Sequence, residues 1–291
     1  MMKPIFGIDI TNDKYNERMH AEDFIAANAS EETSQQLNES GNRAESTIKR
    51  AKLPTAVTVL QFIFLIVGGI SILSFLNSIS DVGFAAAYAA SPLTFYVGVI
   101  GIAVFVAISI WATGRMKKVL DGEDAKNVVN EIESLTEKIY KELDVPQGAV
   151  DVDVLFFNYV EHENGDVVPK STPLGLTPYI NFELKMFKRS GKLCFADLTS
   201  RYDFELEKFR GITRVDKKIS IPQWNKSESY NSENYKKFHM VKNNMDCIFF
   251  KPYYILEFVK NDELYGIYFP CYELEAFERL TGLRYIAGEE E

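Results

Sequence analysis

Residues 54–76 read PTAVTVLQFIFLIVGGISILSFL, and residues 92–113 read PLTFYVGVIGIAVFVAISIWAT. Neither run contains a charged side chain. An α-helix of about 22 residues is about 33 Å long, which matches the hydrocarbon core of a bilayer. The polar residues within the runs are Thr, Ser and a single Gln61, whose side chains can bond back to their own helix or to a neighbour. A buried helix of a soluble domain is usually shorter and polar along one side. The two runs therefore predict a transmembrane hairpin over residues 53–114, with helices at 54–76 and 92–113. Asp81 is the one charged residue in those 62 positions.

The flanks predict an orientation. Arg43, Lys49, Arg50 and Lys52 precede the first run, and Arg115, Lys117 and Lys118 follow the second. The connection, residues 77–91, has no Lys or Arg. The positive-inside rule puts both ends of a multi-pass chain in the cytoplasm and the connection outside. Trp111 suits an interfacial depth, and Ser91–Pro92 suits a helix start. The stretch VGFAAAYAA at 82–90 reads as a tight loop, with a short extra helix as the other option. Gly68, Gly69, Gly98, Gly101, Ala103 and Ala107 are small residues that permit close helix packing. No ionisable residue lies inside either run, which favours an anchor over a pore. The first run begins too far into the chain to read as a cleaved signal peptide.

Whole-chain averages conceal this division. The 291 residues are 46% hydrophobic and 25% charged, with a net charge of -9 and a mean hydropathy of -0.11. Those values fit an ordinary acidic globular protein and exclude a collagen-like, wholly disordered or disulfide-framework chain. A pI near 5.1 argues against a nucleic-acid partner. The bilayer is the expected lipid partner, beside a protein partner and a possible homo-oligomer.

Outside the hairpin, residues 1–52 read as an N-terminal cytoplasmic arm. It has a short apolar patch, IFGIDI at 5–10, and a mostly solvated helix over 30–52 starting at Ser30. Residues 115–147 read as a linker and an amphipathic helix. Val128, Ile132, Leu135, Ile139 and Leu143 recur at steps of four, three, four and four. That stripe suits a helix docking on the next domain better than a coiled coil, because five positions are too few.

From Val150 the period becomes two, as in VDVDV at 150–154 and INFELKMF at 180–187. Further strands are expected at 192–198, 201–206, 213–221, 247–250, 253–259 and 264–269. Ser190–Gly191 and Asn261–Asp262 read as hairpin turns. Residues 222–235 are the longest irregular stretch. A helix over 272–280, between Pro270 and Gly282, ends the domain. The fold class is thus α+β, with about seven antiparallel strands and a C-terminal helix at 148–291.

That layout resembles a pleckstrin-homology-like (PH-like) domain. Tyr202, Phe204, Leu206, Phe209, Ile212 and Val215 resemble the strand–turn–strand pattern of bacterial members. The segments ISIPQWNK at 219–226 and YFPCY at 268–272 are similar to uncharacterised bacterial two-helix membrane proteins with a cytoplasmic PH-like domain. The resemblance covers most of the chain and carries no catalytic signature. It implies binding of lipid head groups, peptides or partner proteins, and the fold alone does not choose among them.

No motif for chemistry stands out. His20, His162 and His239 form no H-x-x-x-H, and Cys194, Cys247 and Cys271 form no C-x-x-C. His239 with Cys247 is the one conceivable nucleophile pair, and a strand cysteine beside an edge histidine explains it more simply. No catalytic, cofactor or metal residue is therefore assigned. Lys185, Lys188, Arg189 and Lys192 around one hairpin, and Arg214, Lys217 and Lys218 on another strand, invite a phosphoinositide reading. Residues 115–291 nevertheless carry 25 Lys+Arg against 31 Asp+Glu, so ordinary solvated faces are the simpler account. Trp224 and the Tyr230 and Tyr235 region form a possible aromatic edge. The expected function is a membrane-anchored, non-enzymatic module for protein or peptide binding. The alternatives are a membrane enzyme with an unrecognised site, or an oligomeric channel or transporter subunit.

Overall fold

A computed structural model describes residues 2–9, 19–161, 167–172, 175–176, 178–222, 237–242 and 247–286. In chain order the first elements are β1 (Met2–Pro4), β2 (Ile8–Asp9), a 3-10 turn (Ala21–Phe24), β3 (Ile25–Asn28) and α1 (Glu31–Ala51). The apolar region holds α2 (Thr55–Val82), α3 (Phe84–Ala90) and α4 (Pro92–Leu120), followed by α5 (Glu123–Glu142). The strands then run β4 (Val150–Glu161), β5 (Val167–Pro169), β6 (Ser171–Thr172), β7 (Gly175–Leu176), β8 (Pro178–Arg189), β9 (Lys192–Ala196) and β10 (Ser200–Glu205). After them come β11 (Phe209–Val215), β12 (Ile219–Pro222), β13 (Val241–Lys242), β14 (Cys247–Phe250), β15 (Tyr253–Lys260) and β16 (Glu263–Pro270). The last described helix is α6 (Leu274–Thr281). The chain is α+β and divides into two compact units, Gln35–Thr136 and a second made of Met1–Ser34 with Glu137–Glu291.

In the helical unit, α2 and α4 have 28 and 29 residues and are long and apolar enough to cross a membrane. Only 11% of each apolar window is buried inside the protein, whereas a core helix of a globular domain would be mostly buried. The helices meet at glycines. A Cβ on Gly101 would lie 2.7 Å from the Cα of Gly68, and one on Gly98 would lie 2.8 Å from the Ile72 side chain. These small residues let the backbones approach closely. Gly69 faces open space, and Ala103 and Ala107 are exposed, so they take no part in that packing. Gln61 Nε2 donates to Ser109 Oγ across the pair at 2.8 Å, which satisfies the one amide in the first run.

The tight loop expected at 82–90 is instead the short helix α3. Gly83 takes φ +79°, ends α2, and turns the chain. The following FAAAYAA is alanine-rich, which is strong helix composition. Phe84 and Tyr88, one turn apart, pack around Phe95, and Phe75 closes the cluster. The helices also overrun the expected limits, to Val82 and Leu120, because no Pro or Gly breaks α2 between Leu76 and Gly83 and the residues after Gly114 are good helix formers.

The β-rich unit corrects the sequence reading in two ways. First, residues 2–9 and 19–28 belong to this unit rather than to a separate arm. β1 pairs in parallel with β16, with Met2 opposite Leu264, and β2 pairs in parallel with β4. β3 pairs with β10. Ile5 and Phe6 are buried, and Phe6 meets Phe156, Phe195 and Tyr202 edge-on. Phe24 stacks on Phe204 at 4.7 Å. Second, the described strands exceed seven and are not all antiparallel. They form sheets in the orders β1-β16-β15-β11, β2-β4-β8-β9-β10-β3 with β5 on β4, and β13-β14-β12-β7-β6. Strand partners hundreds of residues apart leave no local signal, so the terminal strands escape a reading by period.

The predicted hairpin turns form as expected. Ser190 and Gly191, and Asn261 and Asp262, all adopt positive φ between paired strands. The C-terminal helix starts slightly later, after a 3-10 turn at Cys271–Glu273. Its Phe277 is fully buried, stacked on Phe269 of β16 at 3.8 Å and tilted against Phe195 of β9 at 6.0 Å. The helix thus seals the core where two sheets meet.

The end of α5 docks on this unit rather than forming a free seam. Ile139 and Leu143 are fully buried. Arg201 Nη1 donates to the Leu143 carbonyl at 2.7 Å and to Asp144 at 3.0 Å, while its Nε reaches Asp203 at 3.0 Å. A cation at a helix C-terminus satisfies orphan carbonyls and complements the macrodipole. At the start of α1, Ser30 Oγ accepts from the Thr33 N–H, and Glu142 accepts from the Ser30 N–H and the Thr33 hydroxyl. Those donors hold the Glu142 carboxyl below its usual range.

Candidate functional site

The sequence singled out basic residues, thiols and histidines, and the fold treats each differently. Lys185 pairs with Asp151 at 2.5 Å, Arg189 with Asp144 at 2.6 Å, Lys192 with Asp203 at 3.7 Å and Arg214 with Asp216 at 2.8 Å. Arg189 and Arg201 together hold the Asp144 carboxyl below its ordinary range. Four of the seven cations suggested for a head group are thus already engaged by carboxylates. For Lys185 the cross-strand register explains it, since Asp151 lies directly opposite. Lys218 lies 4.1 Å over the Phe249 ring.

Cys194 and Cys271 are buried. Burial, and then the Asp203 charge, push the Cys194 thiol up to about 12, and burial pushes Cys271 up to about 11. A thiol raised this far is not the thiolate that nucleophilic chemistry requires. His239 is exposed in a turn with φ +49°. The Cys247 side chain, His162, Trp224, Tyr230 and Tyr235 lie outside what is described. Among the described residues no group of three or more His, Cys, Asp or Glu gathers to hold a metal ion.

One concave site joins elements that the sequence keeps far apart. β3 covers β10 only from Ser200 to Tyr202, with a bulge between Arg201 and Tyr202. Beyond that point the 3-10 turn at Ala21–Phe24 leaves the sheet. A cleft of about 520 Å³ opens beside Asp203 and Glu205. Asp23 and Phe24 form one wall, and Lys260 and Asn261 of the β15–β16 hairpin form the other. Lys260 Nζ donates to the Asp23 carbonyl at 2.6 Å and sits 4.3 Å over the Phe24 ring, so both walls are tied together. Lys192 and Lys208 complete the rim.

The rim therefore carries three cations, Lys192, Lys208 and Lys260, and three carboxylates, Asp23, Asp203 and Glu205. Its lining has no Ser, Thr, Cys or His, so it offers polar recognition rather than an activated nucleophile. An open strand end flanked by both signs of charge suits an extended peptide, whose main chain pairs with the edge. The residues come from four chain segments and share no motif. In the sequence, the predicted Asn261–Asp262 turn and Lys192, read there as one of a basic cluster, marked parts of it. The chain matches no family model, and no curated protein or solved structure is similar enough to count as a match.

Proposed function

We propose that the protein is a membrane-anchored, non-enzymatic interaction module. The α2–α4 hairpin crosses the bilayer with both termini in the cytoplasm. The β-rich unit, which we read as PH-like, binds a protein or peptide there. The observation that carries this reading is the cleft at the end of β10, where a strand edge is left open between walls bearing both charges. The two long apolar helices, about nine-tenths unburied, support the anchor. The resemblance to two-helix bacterial proteins supports the same arrangement.

The test is site-specific photo-crosslinking in intact membranes. A photoreactive residue replaces Glu205 at the cleft, or Arg210, an exposed residue of β11, as the control. The expected result is a discrete protein adduct from position 205 that is absent from position 210. It should also disappear in Lys208→Glu/Lys260→Glu. Adducts at neither position, or equally at both, refute the cleft as the binding site.

A further inference from the structure

We propose that Trp111, Gly114, Arg115 and Lys118 form a site for one anionic phospholipid head group. The inference deepens the proposed membrane anchoring and rests on it. The four residues fall at i, i+3, i+4 and i+7 of α4 and so share one helix face. A groove of about 430 Å³ lies along that face and is lined by these four residues. Gly114 supplies its floor, since a Cβ there would meet nothing within 4 Å.

The two ends of the groove differ in chemistry. Trp111 is half exposed at the apolar end, one turn before the first charge that follows the uncharged run. An indole at that depth faces the boundary between acyl chains and head groups. Arg115 and Lys118 stand at the other end. The Arg115 guanidinium is held in place twice. Its carbon lies 5.9 Å from the Trp111 ring, and Nη2 donates to the Arg50 carbonyl at 2.9 Å, near the C-terminus of α1. One of its five N–H donors is used in that bond, and the rest remain for a phosphate. Lys118 makes no ion pair among the described residues and adds a second positive charge. Apolar contact at one end and two cations at the other match a lipid whose glycerol lies by the indole and whose phosphate lies by Arg115. An anionic lipid fits better than a zwitterionic one, because no carboxylate lines the groove to receive a choline or ethanolamine cation.

The chain contains two tryptophans, so Trp224→Phe leaves Trp111 as the sole indole. This protein is reconstituted in vesicles of phosphatidylcholine with one-fifth phosphatidylglycerol. Either lipid is brominated in separate samples, and quenching of Trp111 fluorescence is read. The expected result is an enrichment of phosphatidylglycerol beside Trp111 that reflects about a tenfold preference over phosphatidylcholine, so that it fills about seven-tenths of the sites instead of one-fifth, given about one order of magnitude for two cations near the surface. Arg115→Gln/Lys118→Gln should abolish the enrichment while keeping quenching by brominated phosphatidylcholine, which shows that the variant still inserts. Lys49→Gln/Lys52→Gln removes the same charge outside the groove and should leave the enrichment intact. Quenching by the two lipids in proportion to their bulk fractions, or enrichment that survives the first variant or falls equally in the second, overturns the site but leaves the anchor standing. No quenching by either lipid overturns the anchor itself, and the site with it.

Discussion

Replacing Tyr159 with Phe should stabilise the β-rich unit. The Tyr159 ring is fully buried between Phe157 and Tyr268, each with its ring centroid 6.2 Å away. The third wall is Gly7, where a Cβ would come within 2.2 Å of the Tyr159 ring. The hydroxyl lies in this apolar setting with no hydrogen-bond partner among the described residues. A buried polar group left unsatisfied costs about 1–3 kcal/mol of desolvation. Phe keeps the ring and its packing and removes that cost, less the few dispersion contacts of one oxygen. The expected net gain is about 1–2 kcal/mol. For a cooperative unit of this size, that raises Tm by about 2–8 °C.

The pH dependence gives an independent reading. Burial, and then the neighbouring Tyr268 and Tyr253, raise the Tyr159 hydroxyl well above its ordinary value near 10. The folded state therefore keeps this proton longer than the unfolded chain does. Stability from that group is complete below about pH 10 and is lost as the pH rises above it. Phe has no such proton, so the advantage of the variant should widen above pH 10. Tyr253, pushed up to about 12 by burial, acts in both proteins and cancels in the difference. The assay is thermal unfolding of the detergent-solubilised full chain by near-ultraviolet circular dichroism, at pH 7.5 and pH 10.5. A variant less stable than wild type at pH 7.5, or a gap that narrows at pH 10.5, refutes the reasoning.

Three further outcomes follow from the packing. Gly101→Ile should separate α2 from α4, because even its Cβ would lie 2.7 Å from the Gly68 Cα; crosslinking of a Gln61→Cys/Ser109→Cys pair should then fall at least several-fold. Arg201→Met should lower the unfolding free energy by about 3 kcal/mol, read by urea titration, since among the described residues it leaves the largely buried Asp203 with only the longer ion pair to Lys192 and takes the guanidinium donor from the Leu143 carbonyl. Gly83→Cys should react with a membrane-impermeant maleimide added outside intact cells, whereas Glu207→Cys should react only after lysis. The opposite pattern refutes the orientation drawn from the basic flanks.

The elements differ in how legible they were. The apolar helices, the turn at Asn261–Asp262 and the start of α1 at Ser30 were all visible locally, because each depends on residues within one or two turns. The helical character of 84–90 was a narrower matter. Its alanines favoured a helix, but the choice over a loop came from Gly83 and from the ring cluster of Phe75, Phe84, Tyr88 and Phe95. The candidate cleft was almost invisible. Lys260 looked like one solvated lysine among many until the fold set it over Phe24, a residue more than 200 positions away.

The sequence by itself determined the division of charge, the two helices long enough to cross a bilayer, and the basic residues that flank them. These are properties of composition along the chain, and the solvent that an uncharged run of 22 residues requires does not depend on what else the chain does. Only the tertiary structure decided where residues 2–9 and 19–28 belong. Ile5 and Phe6 are too short a stretch to declare a strand alone, and they become core because β1 and β2 on either side of them pair with β16 and β4. The same holds for Lys185 and Arg189, since the fold brings Asp151 and Asp144 to them from a different strand and from the end of α5. Long-range register is set by the closing of sheets around a shared core, and no window of sequence contains both partners.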